Sequence, residues 1–421
     1  MAQGDTEYGV ANMYNDRKIV RALAAKYKHE AFSDENFSKV ALHKGVNDLK
    51  MIRPVVLVNE LPVHEFNADG EMDLHCEDNM MKEMEHFFRL QLYRKKHFNE
   101  DTHMYQYYPI MKQGRFGRME GLSINEDLIK GPGYIAAHMY HDVLSTEDDL
   151  EKLNWVPGCY DRDATVKKYE FVADVIGDIL PVMIQGHQMG LGLCMWDDIS
   201  QLRGVENLLI DLADRPDFMH KIARKLTDGY IKTLEDGFKN NMYAVDFPDM
   251  HCTANYTNDL KPVEDYDNIK PENVWGRGAA QIFGFVSPEM HYEFDVKYQL
   301  EALKDFGLVY YGCCEGLDDK LDLFDEMHNL RKVSITPWAD INISAEKCNT
   351  KYVMSIKPNP ANAGPSFNED AVRKELQTFI SAAKKNNCSF ELVLKDISTV
   401  SYKPQNLTRW TEIAMELVND Y

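Results

Sequence analysis

Short apolar, β-branched runs recur along the chain. Each is followed by polar residues, and most then by a stretch of helical periodicity. The runs are residues 54–59 (PVVLVN), 182–186 (VMIQG), 243–247 (YAVDF), 281–286 (QIFGFV), 308–313 (LVYYGC), 332–336 (KVSIT), 352–356 (YVMSI) and 390–394 (FELVL). They are near-continuously apolar, as strands covered on both faces should be. Between them the period changes. Ser287–Pro288 forms an N-cap and N1 pair that opens a helix running to about Asp305. Val372, Leu376, Phe379, Ile380 and Ala383 make one helical stripe, and Leu407, Trp410, Ile413, Ala414 and Leu417 make another. Eight strands alternating with helices predict an α/β protein, a (β/α)8 TIM barrel, with an open doubly wound sheet as the competing arrangement. The gap after the first run exceeds the others by far. It holds a helical stretch at 80–96 and a glycine-rich region at 113–133. The reading is therefore a helical N-terminal extension over 1–50 and a barrel over 51–421, with 61–180 a capping insertion.

Composition narrows the function. A chain of 421 residues with 44% hydrophobic and 27% charged residues has room for a buried core and is not a disordered polymer. Its 47 lysines and arginines against 68 acids give a formal charge of −21, which repels phosphate backbones and anionic lipid. Nucleic-acid and membrane roles lose weight accordingly. No apolar run approaches the length of a bilayer span, and the N-terminus has no secretory pattern. The expectation is a cytoplasmic enzyme whose eight cysteines are reduced thiols.

In a barrel, chemistry collects where strands end. Those positions carry Glu60 after the first run, Gln185, His187 and Gln188 after the second, and Asp246, Asp249, His251 and Cys252 after the third. Later ends carry Cys313, Cys314 and Glu315, then Trp338, Lys357, Lys395 and Asp396. On an extended strand Tyr311, Cys313 and Glu315 share a face, so a thiolate and a carboxylate stand together as zinc ligands. The alternative is that both cysteines only fill small spaces, which leaves the Glu315 carboxylate unexplained. Glu60, His187 and Asp246 are the candidate catalytic groups. Gln185, His251, Gln281, Phe285, Tyr311, Trp338 and Lys357 are the candidate substrate contacts. No dinucleotide fingerprint, P-loop, HExxH helix or GxSxG elbow is present.

At these residues the chain resembles the uroporphyrinogen decarboxylase superfamily of (β/α)8 barrels. The likeness covers about 50–420. It runs through Arg53–Pro54, the segment RGVENLLIDLADRPDFMHKIARKL, VSPEM at 286–290, YYGCCE at 310–315 and LKDISTVSYKPQNLTRWTEIA at 394–414. Within that superfamily it is most similar to a long bacterial branch near the corrinoid-dependent zinc methyltransferases. The arginine-rich opening segment of the porphyrinogen decarboxylases is missing, since 53–66 has no arginine beyond Arg53. The methyltransferases hold zinc with a His-x-Cys pair and a late cysteine. Here those positions are Tyr311, Cys313 and Asp396. The resemblance thus implies a harder site of Cys313, Glu315 and Asp396. It implies demethylation of a small methylated substrate, an aryl methyl ether first, with the methyl passed to a corrinoid carried by a partner protein. A homodimer follows from superfamily habit. A cofactor-independent decarboxylase of a small acid and a catalytically inactive barrel subunit are the alternatives.

Overall fold

Six parallel strands form the central sheet of this computed structural model, which describes residues 4–131, 136–188, 194–245 and 247–421. In chain order the strands used below are β1 (Val55–Val58), β2 (Tyr108–Met111), β3 (Val182–Gln185), β4 (Trp275–Gly278), β5 (Leu308–Tyr311), β6 (Leu330–Ile335), β7 (Val353–Ile356) and β8 (Phe390–Leu394). The sheet order is β1-β8-β7-β6-β5-β4, and β2 and β3 pair in parallel as a separate ribbon. The observed architecture is therefore mixed α/β with a parallel centre and many helices. A bridge between His187 and Tyr243 is the next pairing beyond β3.

Side-chain alternation sorts each strand between two environments. Val56, Val58, Val333, Ile335, Met354, Ile356, Leu392 and Leu394 face the helical layer and belong to the main core. They meet Leu376 and Phe379 of the helix Glu369–Lys385 and Trp410 and Ile413 of the helix Gln405–Asn419. The opposite face is more polar. It carries Arg277, Lys332, Ser334, Ser355 and Glu391, every one fully buried. Parallel register lines these up, with Arg277 beside Tyr310, Tyr310 beside Lys332, and Ser334, Ser355 and Glu391 in one row.

The outer edge of β1 is closed by side chains in place of a neighbouring strand. The Val56 N–H donates to the Asp101 carboxylate at 2.9 Å, and the Val58 N–H donates to Glu100 at 2.9 Å. Arg53 grips Asp101 with two hydrogen bonds of 2.7 and 2.8 Å, and Arg94 holds Glu100 at 2.9 Å. Two arginine–carboxylate pairs therefore satisfy backbone donors that a continuing ladder would otherwise take.

Four expectations change. Residues 281–286 do not form a strand: Gln281–Phe285 is a 3₁₀ turn, and the strand there is Trp275–Gly278. Its WGRG sequence hides it. A Cβ on Gly276 would lie 2.7 Å from the Phe306 ring, and one on Gly278 would lie 2.2 Å from the Gln299 amide, so glycine is needed for helix contact. Residues 243–247 contribute only the Tyr243 bridge, and Asp246 lies outside the described residues. The long region after β1 contains the missed strand β2. The predicted helix after Ser287 is real and capped by Ser287, whose hydroxyl accepts from the Met290 N–H, but it is interrupted by a π turn at Tyr292–Val296 and ends at Leu303.

Helices Gly4–Ala31 and Asp34–Asn47 occupy the N-terminal region. The first packs Val20, Ala24 and Tyr27 onto Met84 and Phe88 of the helix Asn79–His97. Among the described residues no helix is long and apolar enough to cross a membrane.

Candidate metal and thiol centre

Five chain segments converge beyond the ends of the central strands. Glu60 follows β1, Cys313 and Cys314 follow β5, Lys357 follows β7, and Lys395 and Asp396 follow β8. His251 and Cys252 come from the loop ahead of β4. Ligand atoms of Glu60, His251 and Cys252 all lie within 4.8 Å of one another. The Cys252 thiol sits 3.2 Å from the Glu60 carboxylate. His251 Nε2 is also 3.8 Å from the Cys313 sulfur.

The second half of the cluster is built on Lys395. Its Nζ lies 3.5 Å from the Cys313 sulfur, 3.3 Å from the Cys314 sulfur and 2.8 Å from the Asp396 carboxylate. Cys314 donates to Asp396 at 3.6 Å, and the Asp396 N–H donates to Glu60 at 3.0 Å, which joins the two halves.

These positions use an uncommon backbone. Glu60, His251, Cys252 and Asp396 all have positive φ, between 27° and 61°. A non-glycine residue there costs of order 1 kcal/mol or more unless its surroundings enforce it. The enforcing network is the polar face of the sheet. Lys332 Nζ donates to Thr253 Oγ1 and the Ala254 carbonyl, both at 2.8 Å, while Glu391 accepts from the Ala254 N–H at 3.0 Å. Lys357 donates to the Cys252 carbonyl and to Ser355 Oγ. The loop bearing His251 and Cys252 is thus clamped from inside the sheet.

Electrostatics separates the two adjacent thiols. The contact with the Cys314 sulfur, 3.7 Å away, depresses the Cys313 pKa, and His251, Lys395 and Arg277 add to this against the effect of burial. Cys314, buried beside it, moves the opposite way. Burial opposes the charge on Lys395, yet Cys313 and Asp396 outweigh it and keep the ammonium protonated above its ordinary range. Lys357 is fully enclosed, and burial lowers it to about 8.

Glu315 and Tyr311 stand elsewhere. The Glu315 carboxylate is turned onto the backbone, accepting from the Cys313 N–H at 2.9 Å and the Ala280 N–H at 3.0 Å, and burial raises its pKa. Gly312 has φ +98, which ends the alternation of β5 before Cys313. Tyr311, still within the strand, faces the helices, bonded to Asp295 at 2.5 Å and His291 at 2.8 Å. Tyr310 faces the polar side, with Arg277 and Lys357 over its ring at 5.4 and 5.8 Å. Gln281 donates to Asp197 at 2.7 Å, and His187 bonds the Lys112 carbonyl at 2.7 Å. Gln185 is buried at the end of β3, beside a different cavity. Phe285 and Trp338 project into solvent, 97% and 73% exposed.

Sequence reasoning passed over Arg277 and Cys194. Arg277 is fully buried beside the thiols, and Cys194 packs with Ala279, Cys313 and Cys314. Arg277 was legible as a charged residue between two glycines, but only once 275–278 is known to be a strand. A surface concavity of about 1020 Å³ lies between the helices Gly4–Ala31 and Asn79–His97, away from this chemistry.

No family model matches the chain, and no curated protein matches it. Among solved structures it is similar to a methyltransferase from Methanosarcina mazei, at 11% identity and a TM-score of 0.44, with 90% of this chain and 98% of that chain covered.

Proposed function

We propose that the protein is a cytoplasmic zinc-dependent methyltransferase. It removes a methyl group from a small methylated compound, an aryl methyl ether first, and passes it to a corrinoid on a partner protein. We read the central sheet, with β2, β3 and the Tyr243 bridge, as the remains of a (β/α)8 barrel whose mouth holds the site. The observation that carries the reading is the meeting of Glu60, His251 and Cys252 with the Cys313 sulfur at strand ends.

The donor set fits zinc. It offers one oxygen, one nitrogen and one sulfur ligand, with a further sulfur adjacent, and zinc takes such mixed sets at about 2.0–2.3 Å. Glu60, His251 and Cys252 would hold the ion, leaving an open position beside Cys313. When bound, zinc supplies a Lewis acid for an oxygen that must leave as its methyl is taken. The chain's own groups provide the rest. Lys395, kept protonated by its anionic neighbours, presents a proton donor and a positive charge at the same place. Arg277 adds fixed positive charge from below, and the Lys332–Glu391 network keeps the His251–Cys252 loop in place.

Two measurements test this. Zinc content of the purified protein should approach one equivalent and fall several-fold in His251→Ala and in Cys252→Ser. Anaerobic assay with a reduced corrinoid protein and a panel of methoxylated aromatics should give methyl transfer. Absence of transfer from every methylated donor overturns the function, and unchanged zinc content in both variants overturns the ligand assignment.

A further inference from the structure

A second cavity lies apart from the thiol centre. It occupies about 600 Å³ between β3 and residues 241–245, and its wall includes Asp267 and Ile269, on the chain leading into β4. That volume is in the usual range for small-molecule sites. No residue of the metal and thiol centre lines it.

Three features define its chemistry. The first is uncovered apolar strand surface. Met183 and Ile184 are 50% and 38% exposed, although they are consecutive residues of β3, and both line the cavity. β3 pairs with β2 along one edge, and the cavity runs along the other side, where His187 bridges to Tyr243. The second feature is aromatic wall. Tyr107, Tyr160, Tyr243 and Tyr266 contribute surface, and Tyr266 is 63% exposed.

The third feature is local charge. Among the described residues, Lys112 and Arg162 line the cavity with one acid, Asp267, in a chain whose formal charge is −21. Burial lowers the Lys112 pKa, with Asp267 opposing, and its Nζ donates to the Asn241 carbonyl and lies 5.6 Å from the Tyr160 ring centre. Arg162 is exposed at the rim and forms no ion pair among the described residues. Asp161, next to it, uses its carboxylate to cap the Ala164 N–H. A guanidinium with five donors is the group best shaped to grip a carboxylate.

We propose that this cavity is a binding site for a small aromatic carboxylate, its ring laid against Met183, Ile184 and the tyrosines and its carboxylate held by Arg162 and Lys112. A neutral aromatic loses the charge contacts, and an aliphatic acid loses the ring contacts, so both features are required together. The site stands independently of the methyl-transfer reading.

The test is calorimetric titration of the full-length protein with 4-hydroxybenzoate, cyclohexanecarboxylate and benzyl alcohol. The aromatic acid should bind at least tenfold more tightly than either of the others. Arg162→Gln, an exposed change that leaves the fold alone, should weaken it about tenfold. Met183→Trp should abolish it by filling the cavity, with thermal unfolding checked to confirm the fold. Glu60→Gln, at the thiol centre, should leave the affinity unchanged. No binding of 4-hydroxybenzoate, equal binding of the three probes, or affinity insensitive to both Arg162→Gln and Met183→Trp overturns the proposal. Loss of binding in Glu60→Gln alone would place the acid at the metal centre and overturn it too.

Discussion

Replacing Glu391 with glutamine tests whether the polar face of the sheet holds the site together. Glu391 and Lys332 are both fully buried, with Lys332 Nζ 3.3 Å from the carboxylate. The carboxylate also accepts from Thr253 Oγ1, from Ser355 Oγ at 2.5 Å and from the Ala254 N–H at 3.0 Å. Glutamine keeps the shape and much of the hydrogen bonding but removes the counter-charge for Lys332 and Lys357. Leaving a buried charge uncompensated costs about 3–5 kcal/mol, a large share of a total stability of about 5–15 kcal/mol. Urea unfolding at pH 7 should register that loss. Burial alone would raise the Glu391 pKa, but Lys332 and Lys357 outweigh it and hold it below its ordinary value. A depressed carboxylate contributes stability above its unfolded pKa, about 4.3, and that contribution disappears as pH falls through the folded value. The gap between wild type and Glu391→Gln should therefore be widest near neutrality and close below about pH 4. Adding Lys332→Met to Glu391→Gln should restore part of the stability, because the unpaired ammonium is gone. A single-variant cost under about 1 kcal/mol, or a double variant that merely sums the two single losses, refutes the reasoning.

Two further outcomes follow from the same geometry. Gly312→Ala should destabilise by about 1–3 kcal/mol, since φ is +98 and the new Cβ would lie 2.8 Å from Leu317 Cδ1 and 3.1 Å from Ser334 Cβ; denaturant unfolding measures the loss, and a change within about 0.5 kcal/mol contradicts it. Burial raises the Asp197 carboxyl to about 7, with the charges of Glu315 and Cys313 adding and Gln281 opposing. A carboxyl raised on folding destabilises increasingly as pH climbs from its unfolded pKa toward the folded one, so the Tm of Asp197→Asn should gain on wild type between pH 5 and pH 8; a Tm difference independent of pH refutes it.

Much of the parallel centre was legible because its strands are covered on both sides. Residues 54–59, 352–356 and 390–394 read as strands from their apolar, β-branched runs, and the stripes Val372–Ala383 and Leu407–Leu417 fall within the helices Glu369–Lys385 and Gln405–Asn419. What escaped was β4, where helix packing selects glycine over the β-branched residues that mark a strand. β2 escaped for a different reason. It carries only Tyr108–Met111, includes a proline and pairs with β3 alone, so no long apolar run announces it.

The site was legible as a set of positions but not as a set of contacts. Strand ends single out Glu60, Cys313, Lys357 and Asp396 from sequence, because a polar group that leaves an apolar strand needs a partner. Which groups meet depends on backbone that period-2 reasoning cannot follow. At Gly312 the positive φ breaks the alternation, so Cys313 no longer shares a face with Tyr311. At Glu60, His251, Cys252 and Asp396 the same left-handed region turns the chain sharply, and those four turns set which side chains face one another. None of the four is glycine, so each carries the cost of its conformation along with a polar side chain of the candidate site. Local propensity is overridden at these four positions, and the buried Lys332–Glu391 network, which clamps the loop bearing His251 and Cys252, supplies the rigidity that makes the override stable.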